Sequence, residues 1–158
     1  MATLAVFDCM VFLQGAARKQ GPAGACLALA EVGAITLCLS QDVLQEVREV
    51  LLRPKIQRKF PSLTPDRVDA FLDVIQKKGL WFDTVPHTAT PLRDPDDAPY
   101  LNLAICASAN YLVTRDNDLL DLMRDATFTG SFPGLTITDP VTFLTLLATE
   151  PPEPDANA

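Results

Sequence analysis

The chain has 158 residues, 48% of them hydrophobic and 21% charged, with 13 Lys and Arg against 20 Asp and Glu and a formal net charge of −7. That length suits one domain, which can bury roughly 70% of the surface its unfolded chain exposes without help from disulfides. The acidic balance excludes a passive nucleic-acid coat, which needs a basic face, but not an enzyme that meets phosphate through bound divalent cations.

Leu4–Phe7 is a short apolar run closed by Asp8, and it reads as a buried strand with a carboxylate at its C-terminal end. The opening MATLAVFDCMVF lacks a basic leader, and Asp8 interrupts its apolar run, so no signal peptide is expected. Gly15 to Gly24 is Gly-rich and reads as a loop. Ala25–Glu31 has helical composition, Gly33 breaks it, and Ile35–Leu39 reads as a second strand. Ser40 can cap a helix over Gln41–Leu52, where Val43, Leu44, Val47, Val50 and Leu51 recur at helical spacing; Pro54 ends it.

Thr64-Pro65-Asp66 opens a further helix, with the stripe Val68, Phe71, Leu72 and Ile75 running up to Gly79. Leu80–Phe82 is a short strand and Asp83–Pro95 a Pro/Thr-rich connector without periodicity. A helix is expected from about Ala98 to Ala109, then a strand over Tyr111–Val113 closed by Thr114-Arg115-Asp116. Asn117–Arg124 suits a short helix, Leu135–Thr138 a last strand and Pro140–Ala148 a last helix. Residues 149–158, ending in EPPEPDANA, read as a disordered tail, which leaves one domain over residues 1–148. No apolar stretch approaches the ~18 residues that span a bilayer, so a soluble cytoplasmic protein is expected.

Strands alternating with helices imply an α/β fold, a central mostly parallel β-sheet sandwiched by α-helices. Functional groups of such sheets gather beyond the C-terminal ends of the strands. Asp8 and Asp116 both follow strands, Asp97 opens a helix, and Glu46 projects from the helix after the second strand. Crowded carboxylates repel and raise one another's pKa, a cost that a hard divalent ion such as Mg²⁺ or Mn²⁺ removes. Each acid also has a plainer role. Asp97 suits a helix cap, Glu46 a solvated helix face, and Asp116 with Asp118 a turn. Asp8, directly after a short apolar strand, has the fewest solvated options.

Cys9, Cys26, Cys38 and Cys106 form no CxxC pair and read as buried reduced thiols. His87, alone in a Pro/Thr-rich segment, cannot make a zinc site by itself and reads as a loop residue. Arg18, Lys19, Arg53, Lys55, Arg58 and Lys59 fall in two short stretches and are candidates for phosphate contacts, as is Arg115 beside Asp116. Solvated surface is the default for all of them.

Read together, Val6-Phe7-Asp8, Leu39-Ser40 leading to Leu44-Gln45-Glu46-Val47, and Asp94-Pro95-Asp96-Asp97 with LNLAICASANYLVTRDNDLL resemble the PIN-domain family. The likeness runs from about residue 3 to residue 148, and residues 94–120 are its most specific part. In particular it looks like the branch of bacterial and archaeal toxin nucleases that open this helix with Arg-Asp-Pro-Asp-Asp. The resemblance implies a helix-sandwiched parallel sheet and Mg²⁺- or Mn²⁺-dependent RNA cleavage that leaves a 3′-hydroxyl and a 5′-phosphate. It also implies a homodimer and a partner antitoxin. By position, Asp8, Glu46, Asp97 and Asp116 match the catalytic acids, with Asp8, Asp97 and Asp116 on the metal. Asp118 is an accessory ligand and Thr114 a supporting hydroxyl. One departure stands out: where the family reads Asp-Thr-Asn or Asp-Ser-Asn, this chain has Asp8-Cys9-Met10. The lost amide opens the alternative of a catalytically weakened module that binds RNA or protein. A haloacid-dehalogenase-type phosphatase also places Asp after its first strand, but needs a second acid where this chain has Met10.

Overall fold

The computed structural model describes residues 2–88, 92 and 94–149. Five strands, β1 (Leu4–Phe7), β2 (Thr36–Leu39), β3 (Leu80–Trp81), β4 (Tyr111–Val113) and β5 (Thr136–Thr138), form one sheet in the order β3-β2-β1-β4-β5. Every pairing is parallel, so the mostly parallel sheet expected from the sequence is parallel throughout the described residues. In the central strand Ala5 pairs with Leu37 on one side and with Tyr111 on the other. Successive side chains of a strand point to opposite faces. Ala5, Val6 and Phe7 are nevertheless all fully buried, because helices cover both faces.

The helices are α1 (Cys9–Ala17), α2 (Pro22–Glu31), α3 (Gln41–Leu51), α4 (Pro54–Lys59), α5 (Pro65–Lys78), α6 (Ala98–Cys106), α7 (Asn117–Leu120), α8 (Ala126–Ser131) and α9 (Pro140–Thr149). Their caps follow the sequence closely. Ser40 Oγ accepts from the Val43 amide at 3.3 Å, and Thr64 Oγ1 from the Arg67 amide at 3.3 Å. Stripes from α3 (Val43, Val47, Val50) and α5 (Val68, Leu72, Ile75) turn inward. Phe7, Phe12 and Phe143 join them, with the Phe7 ring 5.9 Å from Phe12 and 6.1 Å from Phe143. No helix among the described residues is long and apolar enough to cross a membrane.

Several expectations need correction or refinement. The Gly15–Gly24 loop is mostly helix: α1 runs to Ala17 and α2 starts at Pro22, leaving only residues 18–21 between them. Gly15 and Gly24 serve close packing. A Cβ on Gly15 would lie 2.2 Å from Leu27 Cδ1, and one on Gly24 2.3 Å from the Lys19 carbonyl oxygen. Pro54 stops α3 but also opens α4, occupying a first-turn position where its missing N–H costs nothing. The Asn117–Arg124 helix is α7 followed by a 3-10 turn over Asp121–Arg124, and α8 lies beyond it. The helix expected to reach Ala109 stops at Cys106, and Ser108, at φ +50°, turns the chain into β4. Of the four thiols, Cys26 and Cys38 are buried, but Cys9 and Cys106 are only half-buried. His87 is exposed and outside regular structure, as expected. The tail expectation concerns residues 149–158; Thr149 closes α9, and the rest lie outside the described residues.

Candidate metal centre

Parallel strands bring their C-terminal ends to one rim, and the chain leaves β1 and β4 there through Asp8 and Thr114. The Asp8 amide donates to the Val113 carbonyl at 3.1 Å, tying the two strand ends together. Asp8 is 6% exposed. Its Oδ1 accepts from the Val11 amide at 3.0 Å and so caps α1. Its Oδ2 accepts from the Thr114 hydroxyl. Burial pushes the Asp8 carboxyl up, the Thr114 and Val11 bonds draw it down, and the Asp116 charge adds to the rise.

Thr114 is fully buried and acts in both directions, since its Oγ1 also accepts from the Asp116 amide at 3.0 Å. Asp116 is half-buried and caps α7, its Oδ1 accepting from the Asp118 amide at 2.8 Å. The turn role considered for Asp116 and Asp118 therefore exists, and it uses one oxygen of Asp116.

Asp94, Asp97 and Asp116 each offer a carboxylate oxygen, and these oxygens all lie within 4.8 Å of one another. Asp94 caps a 3-10 turn over Pro95–Asp97, accepting from the Asp96 amide at 2.9 Å. Asp94 stands at the extended position just before the turn and Asp97 at its end, and their carboxylates reach the same spot. Asp97 precedes α6, yet its side chain caps nothing. Its Oδ2 is buried without a hydrogen-bond partner. Burial, then the charges of Asp116, Asp94, Asp8 and Asp118, push its carboxyl up to about 7.

Glu46 lies on α3 and feels the charges of Asp8 and Asp96. Burial raises its carboxyl, and Asp96 and Asp8 add to the rise. The Tyr100 hydroxyl on α6 lies near Glu46 and Cys9 but is buried without a hydrogen bond of good geometry. Burial also lifts the Cys9 thiol to about 11, so at neutral pH it is a protonated thiol rather than a thiolate ligand. Met10 is 43% exposed.

Of the acids picked out by sequence, Asp97 and Asp116 thus meet directly. Asp8 adjoins them through Thr114, and Glu46 and Asp118 stand around the tight cluster. Sequence reading missed two residues. Asp94 was visible only as part of a helix entry, although its three-residue spacing from Asp97 was a signal. Tyr100 gave none, because an aromatic residue early in an apolar helix usually marks core.

The fold and site define an α/β protein that presents converging carboxylates at the C-terminal rim of a parallel sheet. Its family follows from sequence: the PIN domain profile matches residues 5–118, and the chain belongs to the PIN domain family. No curated protein matches the chain significantly. Among solved structures it is similar to a chain in the crystal structure of VapBC2 from Rickettsia felis bound to a DNA fragment from their promoter. The TM-score is 0.55 at 14% identity, over 87% of this chain and 98% of that one. At that identity the likeness concerns the fold alone, and it agrees with the PIN-like architecture expected from the sequence.

Proposed function

We propose that this PIN domain protein is a divalent-metal-dependent endoribonuclease and the toxin of a toxin–antitoxin pair, with residues 1–148 as its nuclease domain. PIN domains are generally nucleases. The observation that carries the metal reading is the unpartnered Oδ2 of Asp97, buried within reach of two further carboxylates. Buried polar atoms almost always have partners, and a hard cation with oxygen ligands would satisfy this one and relieve the repulsion together.

Asp97, Asp116 and Asp94 would hold Mg²⁺ or Mn²⁺, with Asp8 as the ligand on the strand side and Asp118 as an accessory. When bound, such an ion neutralises phosphate charge and lowers the pKa of water. Glu46, with its carboxyl raised, would take a proton from the attacking water. Thr114 orients Asp8 and the Asp116 backbone through one hydroxyl. Asp97→Asn and Asp116→Asn should each abolish Mn²⁺-dependent cleavage of single-stranded RNA while the circular dichroism spectrum stays that of the parent. Cleavage at the parental rate by either variant overturns the assignment.

The antitoxin partner, homodimer and cytoplasmic setting belong to the same proposal. They rest on the resemblance to the toxin branch and on the similarity to a VapBC2 chain. A second reading, a weakened binding module, is favoured by Cys9 and Met10, neither of which supplies an amide to the acids. Calorimetry separates the two: the module would show no heat of Mn²⁺ binding.

A further inference from the structure

The chain that carries the acidic cluster also carries its electrostatic opposite. A cleft of about 320 Å³ is lined by Arg18, Lys59, Arg115, Phe60, Gln14 and the start of α2, and no carboxylate lines it among the described residues. In a chain of net charge −7, a concavity with three cations and no anion stands against the average. Arg18, Lys59 and Arg115 are all exposed at its walls. The first amides of α2 face it with the positive end of a ten-residue helix, and Gly21 provides no side-chain cap.

We infer that this cleft binds the backbone of single-stranded RNA on its way to the acidic centre; the inference rests on the ribonuclease reading and names how that site holds its substrate. Arg115 lies between Thr114 and Asp116 in the chain, and consecutive Cα atoms are about 3.8 Å apart. The segment that carries Thr114 and Asp116 therefore also supplies one wall of the cleft. The centre itself repels RNA until a cation is bound, so affinity has to come from elsewhere, and phosphate contacts by Lys and Arg are the usual source. Two further groups favour RNA over a simple anion. Gln14 Oε1 is buried without a partner and needs a donor, which a 2′-hydroxyl or a base amino group supplies and a sulfate dianion does not. Phe60, with the Lys59 ammonium 5.5 Å from its ring centroid, offers a π-surface of the kind on which unpaired bases stack.

The test is fluorescence anisotropy with a labelled oligouridylate, in EDTA so that no cleavage occurs, across a range of salt. The triple variant Arg18→Ala/Lys59→Ala/Arg115→Ala should bind at least about tenfold more weakly, with the log–log salt slope reduced by about 2, since each lost phosphate contact removes about 0.7. A control triple, Arg67→Ala/Lys77→Ala/Arg124→Ala, removes the same charge elsewhere and should change binding little. Equal losses in both triples, or none in the first, overturn the proposal. So does a first triple that loses polyglutamate binding but keeps RNA binding, which marks the cleft as a peptide site. Mn²⁺ calorimetry and RNA cleavage by the parent are read separately. A failed nuclease reading therefore shows there, and a failed cleft shows only in the anisotropy.

Discussion

Replacing Asp97 by Asn should stabilise the metal-free protein while destroying its metal site. The Asp97 carboxyl is pushed from 3.8 to about 7 by burial and four neighbouring acids. Taken whole, such a shift is worth about 4 kcal/mol at about 1.4 kcal/mol per unit. Water on the open side of the pocket screens it to roughly 1–2 kcal/mol. The sign follows from linkage. Between pH 4 and 7 the folded state keeps a proton that the unfolded chain has lost, so this group's contribution to stability falls as pH rises through that window and is flat above it. Asn cannot ionise. In EDTA at pH 8, Asp97→Asn should therefore be more stable by about 1–2 kcal/mol, or about 2–8 °C in Tm for a domain of this size. At pH 5.5 the gain should be roughly halved. Saturating Mn²⁺ should reverse the order, because a ligand at a hundred times its Kd stabilises the parent by about 2.7 kcal/mol and the variant far less. Urea unfolding at the two pH values, with and without Mn²⁺, measures all four states. A variant less stable than the parent in EDTA at pH 8, or a gain independent of pH, refutes the crowding argument.

Three further outcomes are expected. Thr114→Val removes both the donor to Asp8 and the acceptor of the Asp116 amide. It should cost about 1–3 kcal/mol in urea unfolding and weaken Mn²⁺ binding about tenfold by calorimetry; unchanged metal affinity would mean that the hydroxyl does not organise the acids. Gly24→Ala forces a Cβ to within 2.3 Å of the Lys19 carbonyl oxygen and should lower stability by about 1–3 kcal/mol. Gly130→Ala in α8 meets nothing within 4 Å and should raise stability by about 0.5–1 kcal/mol; melting curves of the pair check both signs. Met10→Asn, at a position 43% exposed, should leave stability within about 0.5 kcal/mol and raise kcat/KM for RNA; an unchanged rate would show that the missing amide is no handicap.

What was legible in the sequence was whatever depends on local pattern. β1 is apolar at consecutive positions because helices bury both of its faces, and Ser40 and Thr64 mark their helix starts by short polar side chains. What stayed hidden depends on neighbours remote in the chain. α1 buries Val11, Phe12 and Leu13 in succession, so it lacks the polar face that identifies a surface helix. Gly15 and Gly24 carry a turn signal, but they are glycines because α1, α2 and the loop between them approach too closely for a Cβ. α8 is six residues long, and Gly130, Pro133 and Gly134 mask it. At the centre, Asp8, Asp97 and Asp116 could be found from their places at strand ends and a helix start. The closeness of Asp94 to both Asp97 and Asp116 depends on how the connector folds back across the rim.

The arrangement of these acids also bears on the choice between an enzyme and a binding module. Asp94 and Asp116 cap helical turns, but capping accounts for neither the three carboxylate oxygens within 4.8 Å of one another nor the Oδ2 of Asp97, buried without a donor. Asp97, its carboxyl raised, lowers stability at neutral pH, and neutral substitutions that relieve the strain are readily available. Asp8 has the same character: it is buried, its carboxyl is raised, and a cap on α1 could come from Ser or Thr without the charge. A binding module could discard all of this and keep its basic cleft. Cys9 and Met10 alter one edge of the centre, yet the groups that crowd together are intact. Retaining crowded anions next to a cleft of three cations makes sense where a divalent ion and a polyanion arrive together, the ion neutralising the acids and the cleft holding the strand.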